Sequence, residues 1–441
     1  MRHMLDARAG VTIYASTGMI GFNQPDRMST LHFYHAVKGD SIRLLDDNYY
    51  FNVATYSLDF DDKYIYTYSY QENESWTTYR GDLRGDTYRK GVYIFEEEVF
   101  FRICLKRADG KDFTEYEAER INEILLFETS YKDEYIPKKC FEDEIIKTAA
   151  DVKKFRNKNS VVLGLLTDSH YTVNGTWHDT AYNISAVHSI SPFDAIVHLG
   201  DLTDGMVPKS VTRDYVNIII NDLKKTNVPL YIAIGNHDTN YFRGNKEPFT
   251  IQEQCEIYLK NNCLHAERDM DKPYYYVDFN DINLRSIFLY SFDYNENVRY
   301  GFPSEEILWL DKVLCNTPDN YKIVVFSHVP PLAEIHYWSN EIRNGNELIE
   351  ILEKHSDKVM AYIHGHNHAD QIYTKRKFPI ISIGSTKIEY FEDKKPEGAL
   401  TPKRKLNTLS QDLWDVLIIT PSENRINLLR FGAGEDRTIY C

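Results

Sequence analysis

The hydrophobic period of this chain changes near position 130. Before it, apolar and polar residues alternate with period two in SIRLLDDNYYFNVATYSL, KYIYTYSYQ and VYIFEEEVFFRICLKR, with turn clusters such as LDDN, RGDLRGD and RADGKD. Period two places one face of each segment in a core, and several short strands at this spacing predict an all-β sandwich or jelly-roll-like domain over residues 1–130. One segment departs from the pattern. TEYEAERINEILL, Thr114 to Leu126, predicts a single helix, with Thr114 as N-cap and Glu117 three residues on in a capping box.

Residues 131–160 are charged and carry no strand pattern, and Ile145, Ile146, Ala149, Val152 and Phe155 recur at helical spacing. A charged linker containing one helix is expected there. Beyond it, short apolar runs alternate with helical patterns. The runs are Val161–Thr167, Asp194–Leu199, Pro229–Ile234, Arg285–Ser291, Tyr321–Phe326, Val359–Ile363 and Phe378–Ile383. Helical spacing appears in Thr212–Lys225, Thr250–Asn261, Ser304–Leu314 and Asn346–Lys354. Such alternation makes βαβ units and a largely parallel sheet. After Ser382 the pattern returns to strands, WDVLIIT and NRINLLRF, as in a second, antiparallel sheet packed on the first. The α/β class, as a four-layer αββα sandwich over residues 161–441, is the expectation.

The punctuation of those runs carries the chemistry. In open α/β sheets, ligand-binding residues sit just past the carboxyl ends of the strands. Here VVLGLLTDSH ends in Asp168 and His170, AIVHLGDLTDG in Asp201, and YIAIGNHDTN in Asn236, His237 and Asp238. IVVFSHVPP ends in His328, and AYIHGHNHAD in His366 and His368. Each residue alone reads as a cap or a satisfied histidine. Gathered at one sheet edge, they exceed the needs of one ion and suit two metals sharing a carboxylate. Imidazole with carboxylate and amide oxygen accepts Mn, Fe or Zn alike. Gly200, Gly235 and Gly365 fall where the chain must turn off a strand close to those ligands.

Composition narrows the partners. A net charge of −15 argues against broad nucleic-acid binding, which needs a basic face. No run of 18 apolar residues exists to predict a transmembrane helix, and the first 30 residues lack the apolar core of a secretory signal. A virion or extracellular location fits a phage-derived protein, and a cytoplasmic one fits otherwise. The six cysteines form no CxxC pair or dense framework, so free thiols are expected. Tyrosine is frequent, 33 in all, and many cluster before position 135, where they either fill strand positions or present faces on which sugar rings stack.

The ordered set DSH, GD, GNHD, SH and GHNH resembles the calcineurin-like metallophosphoesterases over roughly Val161 to Arg430. The resemblance implies the αββα fold, two divalent or mixed-valence metal ions, and in-line attack on phosphorus by water that the ions acidify. It places Asp168, His170 and His368 on the first metal and Asn236, His328 and His366 on the second, with Asp201 bridging. His237 would serve the leaving oxygen, with Asp238 orienting it. His198 and His364 read as core or supporting residues. Trp177, His178, Asn240, Tyr241, His336 and Tyr337 are candidates to line the pocket.

Protein phosphatases of that superfamily carry an arginine after the second acid of their GDxxD motif, where this chain has Gly205, so GDLTDG and GNHD look more like the class III phosphodiesterases. The Tyr-rich front, and the closing RFGAGEDR, look similar to phage-tail or cell-wall-associated proteins of Gram-positive hosts. That likeness implies a cell-wall glycopolymer, with teichoic acid as a phosphodiester candidate, and homo-oligomeric or virion assembly. Two alternatives stand beside a wall-polymer phosphodiesterase. One is a small-molecule cyclic-nucleotide or nucleic-acid diesterase; the other is a carbohydrate-binding virion structural protein with a vestigial phosphoesterase.

Overall fold

A computed structural model describes residues 2–14, 18, 20–56, 88–130, 135–171, 176–242, 244–269, 271–388 and 396–441. In the front region the strand Val99–Arg107 is the spine. One edge pairs antiparallel with Tyr49–Tyr56, and the other with Met28–Ser29 and Tyr34–Ala36 placed end to end. A second antiparallel sheet pairs Leu125–Glu128 with Ser41–Leu44 and Arg2–His3. Phe101, Ile103 and Leu105 of the spine share one core with Phe51, Leu125 and Phe127. The opposite face of the spine, with Cys104 and Phe100, packs with Ile13, Phe33, Ala54 and Tyr56. An all-β region therefore stands where period two predicted one. Tyr34, Tyr49 and Tyr56 are buried in it, so these tyrosines fill strand positions. KYIYTYSYQ lies outside the described residues.

The single helix expected over Thr114–Leu126 is not formed. Two short helices, Glu115–Glu119 and Ile121–Ile124, run directly into the strand Leu125–Glu128. Thr114 and Glu117 do make the capping box. The helix stops because Leu125 and Phe127 are buried alternately and their backbone is claimed by Ser41–Leu44. A tertiary pairing overrides helical propensity there.

Beyond residue 160 two six-stranded sheets form. The first contains β1 (Val161–Leu166), β2 (Ala195–His198) and β3 (Leu230–Ile232), parallel to one another. The second contains β4 (Tyr275–Phe279), β5 (Leu284–Phe288), β6 (Lys322–Ser327), β7 (Val359–His364), β8 (Gln371–Tyr373) and β9 (Ile380–Ser382). Strands β5, β6, β7 and β9 are parallel, and β4 and β8 run antiparallel on its edges. The closing strands β10 (Leu413–Thr420), β11 (Arg425–Gly432) and β12 (Arg437–Tyr440) are antiparallel, as the pattern predicted. They do not make a sheet of their own, because β10 pairs with β1 and extends the first sheet. The predicted parallel strands are instead divided between the two sheets.

Strand β6 shows how the layers meet. Its Val324 and Phe326 pack with residues of the first sheet, whereas Ile323 and Val325 pack with α4 (Ser304–Asn316) and α5 (Gly345–Lys354). On the first sheet lie α1 (Glu142–Phe155), α2 (Trp177–Ile190) and α3 (Lys209–Lys224). Helix α1 is the one expected in the linker, yet Ile145, Ala149 and Val152 bury it in the same core as β1. Helix α2 was not anticipated, and Trp177, read as a loop residue near the pocket, is fully buried at its start and donates to Asp222. The helix expected over Thr250–Asn261 is shorter, an α-turn at Ile251–Gln254 followed by a π-turn at Cys255–Leu259. All six cysteines are free thiols. No helix among the described residues is long and apolar enough to cross a membrane.

A buried charge network ties the sheets together near the site. Arg430 on β11 donates to Asp415 on β10 and to both carboxylate oxygens of Asp370, at 2.8–3.0 Å. Arg437 on β12 reaches the same two acids. Asp370 lies two residues past His368, so the network anchors the loop that carries it. Without Arg430 the two carboxylates share Arg437 alone and one buried charge is left uncompensated, a loss of about 3–5 kcal/mol. Arg430→Met is expected to lower the denaturation midpoint accordingly in a urea titration, and an unchanged midpoint would remove the network from the account.

Candidate metal centre

Strand after strand, the chain leaves the two sheets at one edge, and the residues there adopt an unusual backbone. Asp168, His170, Asp201, His366 and His368 have φ of 52°, 43°, 56°, 67° and 52°. Non-glycine residues in this region cost about 1–3 kcal/mol each, and such strain gathers at functional sites. Close approach is required as well. A Cβ on Gly235 would collide with the Asp201 carboxylate and amide, and Gly205, at φ 61°, has its Cβ position filled by the His237 carbonyl. An arginine at 205 has no room in this backbone.

The predicted ligands meet as two groups. In the first, His368 Nε2 is 3.0 Å from Asp168 Oδ1 and 3.2 Å from His170 Nε2. In the second, His328 Nε2 is 3.0 Å from Asp201 Oδ2, 3.1 Å from Asn236 Oδ1 and 3.2 Å from His366 Nδ1. Asp201 Oδ2 also lies 3.9 Å from His170 Nε2, so one carboxylate stands between the groups. Ligand bonds of 2.0–2.2 Å give neighbouring donors roughly 3.0–3.4 Å apart, the spacing found in both.

The donor set fits cations. His328 Nδ1 donates to the Leu199 carbonyl at 2.7 Å. The neutral ring therefore turns the lone pair of Nε2 onto the lone pairs of Asp201 and Asn236. Only a proton or a metal satisfies that convergence. Without metal, burial works against charge on His328, but Asp201 and Asp168 outweigh it and push the imidazole up to about 9. Burial likewise lowers His170, and Asp168 and Asp204 reverse the shift to about 9. Burial would raise Asp201, yet His328 and His237 hold it down at about 2.

His237 differs from the ligands. Its Nδ1 donates to the Asp204 carbonyl at 2.8 Å, and Nε2 lies 3.8 Å from Asp201 Oδ2. Its side chain is 13% exposed where that of His328 is 0%, so it is the imidazole that opens to the cleft. Phe242 lies against it, ring centroids 4.2 Å apart. The role expected for Asp238 is corrected by its contacts. Its carboxylate accepts from the amides of Asp201, Leu202 and Gly235, each at 2.8 Å, and does not reach the His237 ring. It pins the two ligand-bearing turns together, while a backbone carbonyl orients His237.

Supporting residues divide similarly. His198 has both ring nitrogens engaged, by Ser169 and by the Gly200 amide, and His364 is fully buried against Gly365. Asn240 is also buried and ties Val207, Thr212 and Glu247 together, so it does not line the pocket. His178 points its Nδ1 at Asp222, 3.6 Å away. Tyr241 stacks on Tyr294. His336 stacks on His366 at 4.8 Å, and the Tyr337 amide donates to Asn367 in the GHNH turn. Three neighbours escaped the sequence reading. Asp204 Oδ1 is 3.3 Å from His170 Nδ1, Tyr300 lies 5.1 Å from His366, and the Lys387 amide donates to the Asp168 carbonyl. Lys387 follows β9 in GSTK, so the rule that strands end in chemistry would have found it.

The chain is similar in sequence to known proteins. Residues 162–370 match the family model described as calcineurin-like phosphoesterase. A probable glycerophosphodiester phosphodiesterase GpdQ of Arcobacter nitrofigilis is 27% identical over 235 residues, covering 51% of this chain and 77% of that protein. The human cyclic GMP-AMP phosphodiesterase SMPDL3A is 25% identical over 214 residues, covering 40% and 44% of the two chains. The manganese-dependent ADP-ribose/CDP-alcohol diphosphatase of Arabidopsis thaliana is 22% identical over 204 residues, covering 39% and 64%.

Proposed function

We propose that this calcineurin-like metallophosphoesterase, a hydrolase of phosphoesters, is a phosphodiesterase acting on a glycerol- or sugar-phosphate diester, with cell-wall teichoic acid as the leading candidate. The observation that carries the diesterase reading is the placement of Asp201 between two donor groups with His237 beside it. Asp168, His170 and His368 would hold one ion, and Asn236, His328 and His366 the other. Bound there, a pair of divalent ions neutralises the phosphoryl oxygens and acidifies water.

The chain's own residues do the rest. Asp201 fixes the spacing of the two groups and, through Oδ1, accepts the His237 amide at 2.8 Å. That bond sets where the His237 ring stands. Because Nδ1 is committed to Asp204, the ring gives a proton to a leaving oxygen from Nε2 only in its doubly protonated form. Burial, with His170, outweighs the charges of Asp201 and Asp204 and lowers the His237 imidazole below its ordinary value, so that form is the minor one near neutral pH. Gly205 leaves no arginine to clamp a monoester dianion at that turn, and two of the relatives are named phosphodiesterases. The wall-polymer assignment rests on the Tyr-rich all-β front.

The test is phosphorus release from purified Gram-positive wall teichoic acid with Mn²⁺ present, alongside bis-p-nitrophenyl phosphate. Release from both is expected. Cleavage of the synthetic diester alone would keep the chemistry and move the substrate to a smaller diester. Activity on neither, with metal bound, would sink the phosphodiesterase reading and favour a monoesterase or a structural role.

A further inference from the structure

We propose that Arg102, from the front β region, binds a second phosphoryl group of the substrate beside the metal centre, so that the front region forms part of the active site. The proposal deepens the phosphodiesterase reading and rests on it. Arg102 lies in the spine strand Val99–Arg107, between Phe101 and Ile103, and points to the face opposite their core. Its neighbours on that face are apolar: the guanidinium carbon lies 3.7 Å from the Phe33 ring centroid and 5.8 Å from that of Tyr56. Nε donates to the Leu31 carbonyl at 3.1 Å. Among the described residues Nη1 and Nη2 have no hydrogen-bond partner, although the residue is 0% exposed. Two donors of a permanent cation are thus buried with no counterion, a costly arrangement unless an anion completes it.

The contacts of the same segment say which anion. Leu31 packs with Val11 against Met206 and Val207, in the loop that follows Asp204. The ring of His32 lies 5.5 Å from that of Tyr171, the residue after His170. Leu31, onto whose carbonyl Arg102 donates, and His32 are therefore seated on the loops that carry His170 and Asp201. A planar fork of two N–H donors next to a phosphoester centre matches a phosphoryl group, which accepts both in parallel. Few arginines stand near the motifs in sequence. The structure brings an arginine there from far away, and a substrate with a neighbouring second phosphoryl follows. That neighbour is either the next diester of a polymer or the other half of a diphosphate.

The experiment uses the full-length, metal-loaded protein and its Arg102→Met and Arg102→Lys variants. Their kcat/KM is measured on bis-p-nitrophenyl phosphate, a short poly(glycerol phosphate) chain and ADP-ribose, with bound metal and melting temperature recorded. Losing hydrogen bonds to a charged group should lower kcat/KM of Arg102→Met by about ten- to hundredfold on whichever two-phosphoryl substrate the wild type cleaves, mostly through KM. Cleavage of bis-p-nitrophenyl phosphate, with its single charge, should barely change. Arg102→Lys should fall between. Preference for the glycerol phosphate chain identifies a polymer, and preference for ADP-ribose a diphosphate. An equal loss on all substrates, no loss, or a wild type that cleaves only bis-p-nitrophenyl phosphate overturns the proposal. Should Arg102→Met fail to fold, Arg102→Lys decides alone: it keeps the buried charge, and a loss confined to the two-phosphoryl substrate supports the assignment while its absence refutes it. A wild type inactive on every diester would instead fail the phosphodiesterase reading itself.

Discussion

Asp201→Asn is expected to purify with neither metal at full occupancy and to lose turnover by about 10³-fold or more, since ion-mediated stabilisation of transition-state charge is worth several kcal/mol. The reasoning is local. Asp201 Oδ2 faces His328 on one side and His170 on the other, so a single oxygen serves both groups. An amide nitrogen in that place donates where a lone pair is needed. The substitution is close in shape, and an oxygen at the Oδ1 position can still accept the His237 amide, so folding should survive. Elemental analysis of the dialysed protein, beside the wild type, reads the outcome. Two equivalents of tightly held metal in the variant would show that Asp201 is not shared.

His237→Ala should behave in the opposite way. Its ring is held by a backbone carbonyl and opens to the cleft, while the two donor groups are complete without it. Metal content should match the wild type, and turnover should fall by about 10²–10⁴-fold where the leaving group is an alkoxide that needs a proton. On bis-p-nitrophenyl phosphate the loss should be much smaller, because p-nitrophenolate departs without one. Equal losses on both kinds of substrate would assign His237 to binding the phosphoryl oxygens instead. Metal loss matching that of Asp201→Asn would return it to the ligand set.

The pair also separates two kinds of buried acid. Asp201 and Asp238 are both buried, and both accept backbone amides. Asp201 turns its other oxygen to three imidazoles, those of His328, His237 and His170, whereas both oxygens of Asp238 are spent on amides of the turns. Burial and the nearby Asp201 charge push Asp238 up to about 7, against the amides it accepts from and the more distant His328.

Much of this site was legible in the chain because strand ends are local events. A parallel strand buried on both faces reads as an apolar run, and the turn just past its end is where the first polar side chain stands at the sheet edge. Asp168, Asp201, Asn236, His328 and His366 stood out for that reason, and the structure brings them together. The sequence by itself thus determined the residue types gathered at the site, their order and the strands that carry them. The tertiary structure decided what depends on residues distant in the chain. Pairing of Leu125–Glu128 with Ser41–Leu44 replaced a helix by a strand, and pairing of β10 with β1 moved the closing strands into the first sheet. The positions of Asp204 beside His170, Lys387 beside Asp168 and Arg102 above Phe33 were settled the same way. Periodicity reports which face of a segment is buried. It does not say against what, because that is fixed by the joint burial of many segments and by the polar groups left to be satisfied when they meet.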